Sequence, residues 1–408
     1  LKLWPIGWTN GYKPQVLKTS SLATIAVLHR LQATAKFQPL WHGQNCKPWV
    51  LAQDSHRPVI EHLDQLNIMQ KHQIQVAVIG YGWWGQTITK ILQDSPLIDV
   101  ALVVEVSAAV KIKAQEDAKT LGFRVEEDFQ AALQDAQIDA LILCTPHLEH
   151  SHQIIAGAKA QKHIFCEKPL CLSFTDAQKS IQACIDHKVA LGIGHERRFE
   201  QAMLMLSERV RNGDLGTLLQ IEANFSQNKF LNLPPDNWRL SKEFAPCGPL
   251  SATGIHLVDL AISLLGPASS VYARLNTLAT SFSNGDTLAI SLNFPSGATA
   301  LISAILATPF DGRFCVYGSK GWIEIRDRTH PEHPTGWDVS HCNEKGEISK
   351  TFYAPASSVR SNLESFAKSI LDPQHRYPVS LDEMRANVAA LEAIMESASS
   401  QQIVTIKH

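Results

Sequence analysis

Apolar and polar positions follow two different rhythms along this chain, and the change falls near residue 196. Between Ile74 and Ile193, short apolar runs rich in β-branched residues are separated by stretches with a helical period. Ile74–Ile79 (IQVAVI) is followed by a helical pattern from Trp84 to about Gln93. Val100–Val104 is followed by one over Ala108–Leu121 and another near Asp128–Asp135. Ala140–Cys144, His163–Cys166 and Ala190–Ile193 read as further strands, alternating with helices over Ser151–Ala160 and Thr175–His187. Strands that are apolar on both faces and alternate with helices predict a doubly wound parallel sheet, because only helices on either side bury such strands completely.

After residue 196 a helix over Glu200–Asn212 leads to strands near Leu218–Phe225, Val271–Leu278, Thr287–Phe294, Thr299–Leu306, Arg313–Tyr317 and Trp322–Ile325, with few helices between them. The exceptions are the apolar stretch Ile255–Leu265 and two terminal helices near Val359–Leu371 and Leu381–Ala398. Runs of strands closed by helices predict an α+β domain with a mostly antiparallel sheet. One broad face of that sheet suits a substrate, another a homo-oligomer contact.

The first strand ends in Gly80-Tyr81-Gly82-Trp83-Trp84-Gly85. In such a turn Gly80 permits the tight bend, Gly82 lets backbone amides approach a pyrophosphate, and Gly85 lets helix and strand pack closely, with the phosphates at the helix N-terminus. Glu105 closes the second strand, twenty residues past Gly85. A carboxylate there accepts from adenosine ribose hydroxyls and repels a 2′-phosphate, so Glu105 favours NAD over NADP. Lys111 and Lys113 lie close enough in sequence to leave NADP open. The fold reading is therefore α/β: an N-terminal extension over 1–72, a dinucleotide-binding Rossmann domain over 73–195, and a substrate-binding and oligomerisation domain over 196–408. A length of 408 residues accommodates both domains.

The extension has a separate character. Leu1 to Gln53 holds no acidic residue, whereas Lys2, Lys13, Lys18, Arg30, Lys36 and Lys47 are basic. Three readings stand: sequence upstream of a working start at Met69, a mitochondrial-type transit peptide, or a genuine extra element. Its tryptophans Trp4, Trp8, Trp41 and Trp49 show no sustained period.

Charge and cysteine usage narrow the function. Lys and Arg number 37 against 39 Asp and Glu, which points away from nucleic acid and anionic membranes and toward a small neutral or mildly polar partner. The eight cysteines fall mostly in apolar runs with no CxxC pair, as in an intracellular protein with reduced core thiols. No apolar stretch approaches the roughly 18 to 20 residues of a membrane span. A soluble, cytoplasmic protein is expected.

In an open parallel sheet the crevice lies at the carboxyl ends of the strands. Four segments fall there or across from it: Thr145-Pro146-His147-Leu148-Glu149-His150, Glu167-Lys168-Pro169, Gly194-His195-Glu196-Arg197-Arg198-Phe199 and Gly254-Ile255-His256-Leu257-Val258-Asp259. With these segments in this order, the chain from about Ile74 to Ile406 resembles the Gfo/Idh/MocA family of NAD(P)-dependent oxidoreductases. Tyr317-Gly318-Ser319-Lys320-Gly321 and Asn362-Leu363-Glu364-Ser365-Phe366 match it as well.

The resemblance implies that Lys168 lies beside the nicotinamide, aimed by a cis Lys168-Pro169 bond, and that Trp83, Trp84, Thr145, Pro146, His147, His150, Glu167 and Pro169 line the cofactor side. A cationic amine there stabilises the hydroxyl or carbonyl oxygen whose charge changes as hydride moves. His256 is the candidate acid or base, since imidazole titrates near neutral pH. Asp259 shares a helical face with it and is read as structural. Arg198, Trp238 and Arg239 are candidate substrate contacts, although Arg198 is equally suited to an ion pair and the other two to packing. His147, His150 and His152 lack the paired Cys or carboxylates of a metal site, so no metal is expected.

Three positions depart from the family pattern. Ala252 stands where an aspartate usually precedes the histidine by four residues, His147 where Asn is frequent beside the cofactor, and Glu196 where Asn often precedes the arginines. The leading expectation is hydride transfer between nicotinamide and a sugar, cyclitol or related hydroxy compound. Ala252 motivates one alternative, a non-catalytic NAD(P)-binding regulator. The other is NAD-assisted glycoside cleavage on the same core.

Overall fold

The computed structural model describes residues 72–408; the readings of the first 68 residues lie outside it. Six parallel strands form the first sheet: β1 (Ile74–Ile79), β2 (Ile98–Val104), β3 (Arg124–Glu126), β4 (Ala140–Leu143), β5 (His163–Cys166) and β6 (Leu191–Ile193), in the order 3-2-1-4-5-6. Helices α1 (Trp83–Leu92), α2 (Ala108–Leu121), α3 (Phe129–Gln134), α4 (His150–Lys159) and α5 (Phe174–Asp186) connect them. Val76, Ala77, Val78 and the whole of β4 are buried, as strands covered on both faces require. The strand order reverses between β1 and β4, so the crevice opens above their carboxyl ends. The sequence reading missed β3, an edge strand of three residues (RVE) with no apolar run.

Helix α6 (Gln201–Arg211) leads into the second sheet. Its strands are β7 (Leu218–Ser226), β8 (Ser270–Asn276), β9 (Thr287–Asn293), β10 (Thr299–Ile305), β11 (Asp311–Gly318), β12 (Gly321–Asp327), β13 (Trp337–Asn343), β14 (Ile348–Tyr353) and β15 (Val404–Thr405). They lie in the order 14-13-12-11-7-10-9-8-15, with β7 and β10 the one parallel pair. Residues of β9 and β10 alternate between buried and accessible. The buried set, including Ile290 and Ile302, shares a core with α7 (Ile255–Leu265). β13, β14 and the two-residue β15 were not anticipated. Polar residues interrupt both longer strands, WDVSHCN in β13 and ISKTFY in β14, and β14 is accessible along almost its whole length, so the period of two has too little contrast to read.

The terminal helices are α8 (Ser358–Leu371) and α9 (Leu381–Ser400), and α8 returns to the first sheet. Leu363 and Phe366 of α8 share a core with Val76, Ile142 and Phe165 of the parallel sheet, and Asn362 Nδ2 donates to the Ile193 carbonyl at 2.9 Å. Each sheet falls on one side of residue 196, whereas the apolar stripe of α8 covers a face of the first sheet. Among the described residues no helix is long and apolar enough to cross a membrane. The described cysteines are free, and all but Cys144 are fully buried.

Candidate active site

The glycine-rich turn has the shape its sequence implies. Gly80 leaves β1 at φ +89°, a conformation that disfavours any side chain. A Cβ at Gly85 would fall 2.1 Å from the Gly80 carbonyl oxygen, so only hydrogen lets α1 close on the turn. At Gly82 a Cβ would meet nothing within 4 Å. Gly82 caps α1 without a side-chain hydrogen bond, so the first amides of the helix face that open space. Outward amides at a helix N-terminus form a cradle for phosphate, and the residues present fit a dinucleotide.

Glu105 is buried behind this turn. Its two carboxylate oxygens accept from the Tyr81 and Ser107 main-chain N–H groups, each at 2.7 Å. It therefore braces the glycine turn in addition to whatever it offers a ribose. Lys111 is ion-paired with Glu127, and Lys113 with Asp117 at 2.6 Å.

The ends of β4, β5 and β6 bring Thr145, Glu167, Lys168 and Glu196 to one cleft. Trp83 and Trp84 line it from α1, and Phe225, Trp238, Arg239 and His256 from the second domain. The Lys168–Pro169 peptide is cis. The Lys168 ammonium donates to the main-chain oxygens of Ala252 at 2.9 Å and Ser251 at 3.3 Å. Burial lowers the basicity of this amine, while the Glu196 and Glu167 carboxylates oppose the shift. Burial raises the Glu167 carboxyl, against the Trp84 indole and Lys168. Gly194 leaves room for that carboxyl: a Cβ there would lie 2.5 Å from its Oε2.

Ser251 and Ala252 belong to a π-helical turn, Leu250–Gly254, that precedes α7. His256 sits in the first turn of α7, buried, with its pKa held well below the ordinary value by burial and then by Lys168. The imidazole is neutral at physiological pH. Its Nδ1 has no hydrogen-bond partner and lies 3.6 Å from Glu196 Oε2.

The remaining sequence candidates divide. His147 lines the cleft, edge-on to Trp238 with centroids 5.0 Å apart, and burial keeps it neutral. Arg239 lines it too, its guanidinium 4.4 Å from the Trp238 ring centroid, with its pKa lowered by burial. Thr145 lines it while its hydroxyl donates to Gln153 at 2.6 Å.

His150 does not line the cleft. It is fully buried between the Pro169 oxygen, 2.8 Å from Nδ1, and the Thr145 oxygen, 3.0 Å from Nε2, where the neutral ring donates to one of them and packs against the other. Pro146 and Pro169 are likewise not among the residues that line the cleft. Arg198 is turned away as well: it grips Asp259 through two hydrogen bonds, at 2.6 and 2.7 Å, and Glu383 at 2.7 Å. The ion-pair alternative is the arrangement found, and Asp259 has its structural role in it.

Sequence reasoning assigned no role to Glu196, which stood out only as a departure from the family pattern. It also missed His330 and Glu332 in the lining. They come from the loop between β12 and β13, which carries no motif.

Two family models match the chain: an oxidoreductase family with an NAD-binding Rossmann fold over residues 74–195, and the GFO/IDH/MocA C-terminal domain over 203–324. Myo-inositol 2-dehydrogenase of Thermotoga maritima is 31% identical over 63% of this chain and 77% of its own length. D-xylose 1-dehydrogenase [NADP(+)] of Haloarcula marismortui is 22% identical over 82% of this chain and 93% of its own. Levoglucosan dehydrogenase, solved with NADH and L-sorbose, shares the fold with a TM-score of 0.73 at 20% identity, covering 83% of this chain and all of that one.

Proposed function

The chain belongs to the Gfo/Idh/MocA family of NAD-binding oxidoreductases, and on that ground we propose that its cleft transfers hydride between nicotinamide and a sugar, cyclitol or related hydroxy compound. The observation that carries this reading is the meeting of Lys168 and His256 at one cleft that Trp83 and Trp84 of the glycine-rich segment also line. A bound nicotinamide supplies the hydride acceptor for a substrate carbon. Lys168 orients the reacting oxygen and stabilises the negative charge it acquires. His256, neutral and buried, takes the hydroxyl proton as the carbonyl forms and returns it in the reverse direction. Trp238 offers an aromatic face to the apolar side of a sugar ring, and Arg239 a fork of donors to its oxygens.

Two observations support NAD over NADP. Glu105 holds a carboxylate at the end of β2, and both lysines that a 2′-phosphate would call on already have carboxylate partners. The relatives reported above are dehydrogenases, and none of them supports the regulator or the glycoside-cleavage alternative. We further propose a cytoplasmic homo-oligomer joined through the open face of the second sheet, where Tyr272 and Leu301 are accessible. Light scattering on the purified protein would read a monomer mass if that contact does not form.

The direct test is a panel of polyols, inositols and aldoses with NAD+ and NADP+, followed by the near-ultraviolet absorbance of reduced nicotinamide. Turnover of a hydroxy compound, with NAD+ preferred, is expected. Tight dinucleotide binding without turnover of any panel member would overturn the reading.

A further inference from the structure

We propose that Glu196 is the positioning residue for His256 and the counter-charge of Lys168, supplying from the wall of the parallel sheet the carboxylate that residue 252 lacks. This rests on the dehydrogenase reading of the same cleft. His256 Nδ1 is buried with no hydrogen-bond partner, a position that costs free energy unless a proton on it finds an acceptor. The Glu196 Oε2 carboxyl oxygen is 3.6 Å away, and an approach of less than an ångström by the two walls would complete the bond. A proton on Nδ1 leaves Nε2 with its lone pair, the form of imidazole that accepts a substrate proton.

The same carboxyl acts on Lys168, whose basicity it sustains against burial. Lys168 reaches only main-chain oxygens across the cleft, at Ser251 and Ala252, so the second domain offers it no negative side chain there. Glu196 and Glu167 provide the charge from the first domain. Glu196 is placed to do so because β6 ends at Ile193 and the short helical turn Glu196–Phe199 lifts its side chain into the cleft. That side chain is 13% exposed.

The groups that face it are Glu167 and Lys168 from the end of β5, His256 from α7, and Arg197 and Glu200 along its own segment. Burial and then Glu167 push the Glu196 carboxyl up to about 7, against Lys168. It therefore ionises across the neutral range, and becomes a stronger acceptor for Nδ1–H as pH rises.

The test combines a readout that needs no substrate with one that does. In ¹⁵N-histidine NMR of the full chain, with the His256 signals assigned through His256→Asn, the wild type is expected to hold the Nδ1–H tautomer above pH ~7. Glu196→Gln is expected to shift it toward Nε2–H, whereas Glu196→Asp keeps the wild-type tautomer. An unchanged tautomer in Glu196→Gln overturns the proposal, even if no substrate is ever found.

With a turned-over hydroxy compound, Glu196→Gln is expected to lower kcat on the order of 10²-fold with little change in KM. The step near pH 7 in the kcat profile should vanish, and Glu196→Asp should restore part of the rate. Adding Ala252→Asp to Glu196→Gln should recover rate by returning a carboxylate from the opposite wall. A Glu196→Gln enzyme with wild-type kcat and pH profile overturns the proposal and leaves the dehydrogenase reading intact.

Discussion

The Lys168 ammonium donates to the Ala252 carbonyl oxygen at 2.9 Å, which joins the carboxyl edge of the parallel sheet to the π-helical turn that carries His256. The amine is therefore held by backbone, and its own charge is the part open to substitution. Lys168→Met is expected to lower kcat by about 10²–10⁴-fold while dinucleotide binding persists. Quenching of Trp83 and Trp84 fluorescence by reduced cofactor measures the binding. Undiminished turnover in Lys168→Met would remove it from the chemistry.

Two glycines of the same turn should separate folding from binding. Gly85→Ala places its Cβ 2.1 Å from the Gly80 oxygen, an overpacking expected to destabilise by about 1–3 kcal/mol and to lower Tm. Gly82→Ala meets no protein atom within 4 Å, so Tm should hold while dinucleotide affinity falls. Calorimetry paired with cofactor titration decides it; equal Tm losses in the two variants would contradict this account of the cradle.

Glu105 links cofactor choice to the stability of the turn. Glu105→Ser loses acceptors for the Tyr81 and Ser107 amides, and hydrogen bonds to a charged group contribute about 1.5–3 kcal/mol each. A lower Tm is expected, together with a rise in kcat/KM for NADP+ relative to NAD+ as the repulsion of a 2′-phosphate is lifted. A stable variant with an unaltered cofactor ratio would place neither role on this residue.

Arg198→Met should behave as a folding mutation. It strands the buried Asp259 carboxylate, and breaking a buried pair from one side costs about 3–5 kcal/mol. Chemical denaturation should show that loss, with substrate KM unchanged at temperatures where the protein stays folded. A selective rise in KM without loss of stability would return Arg198 to the substrate.

The buried titratable groups set a pH window for stability. His147, His150, His195, His256 and His330 all have pKa values lowered from 6.5 by burial, His195 to about 4 and His330 to about 3. Below 6.5 the unfolded chain binds more protons at these sites, so stability rises with pH up to that point. Glu196 has the opposite sign. Raised from 4.5 to about 7, it is protonated in the folded state where the unfolded chain is ionised, and its contribution declines as pH rises across that range. Glu167, raised by burial, and Glu200, raised to about 8, share that sign, so stability is expected to climb from pH ~4 to ~6.5, where the five histidines outnumber the carboxyls, and to decline above it as the carboxyls ionise. A Tm that falls steadily over the lower interval would contradict the neutral assignment of the histidines.

Read alone, the chain indicated the parallel and antiparallel sheets, most of their strands and the glycine turn, and it named Lys168 and His256, which the fold brings to one cleft. Each rests on local signals: burial on both faces makes β4 apolar throughout and β1 and β5 apolar at all but one position each, and only glycine tolerates the contact between residues 80 and 85. β3, β13 and β14 were not legible because edge and accessible strands carry little apolar contrast. The tertiary structure decided how side chains distant in sequence are partnered. Arg198 is drawn to Asp259 and Glu383 across 61 and 185 residues, His150 lies between two loops, and α8 returns to cover the first sheet. Glu196 meets His256 and Lys168 for the same reason. Charge pairing and burial depend on distance through space, which no local period along the chain encodes.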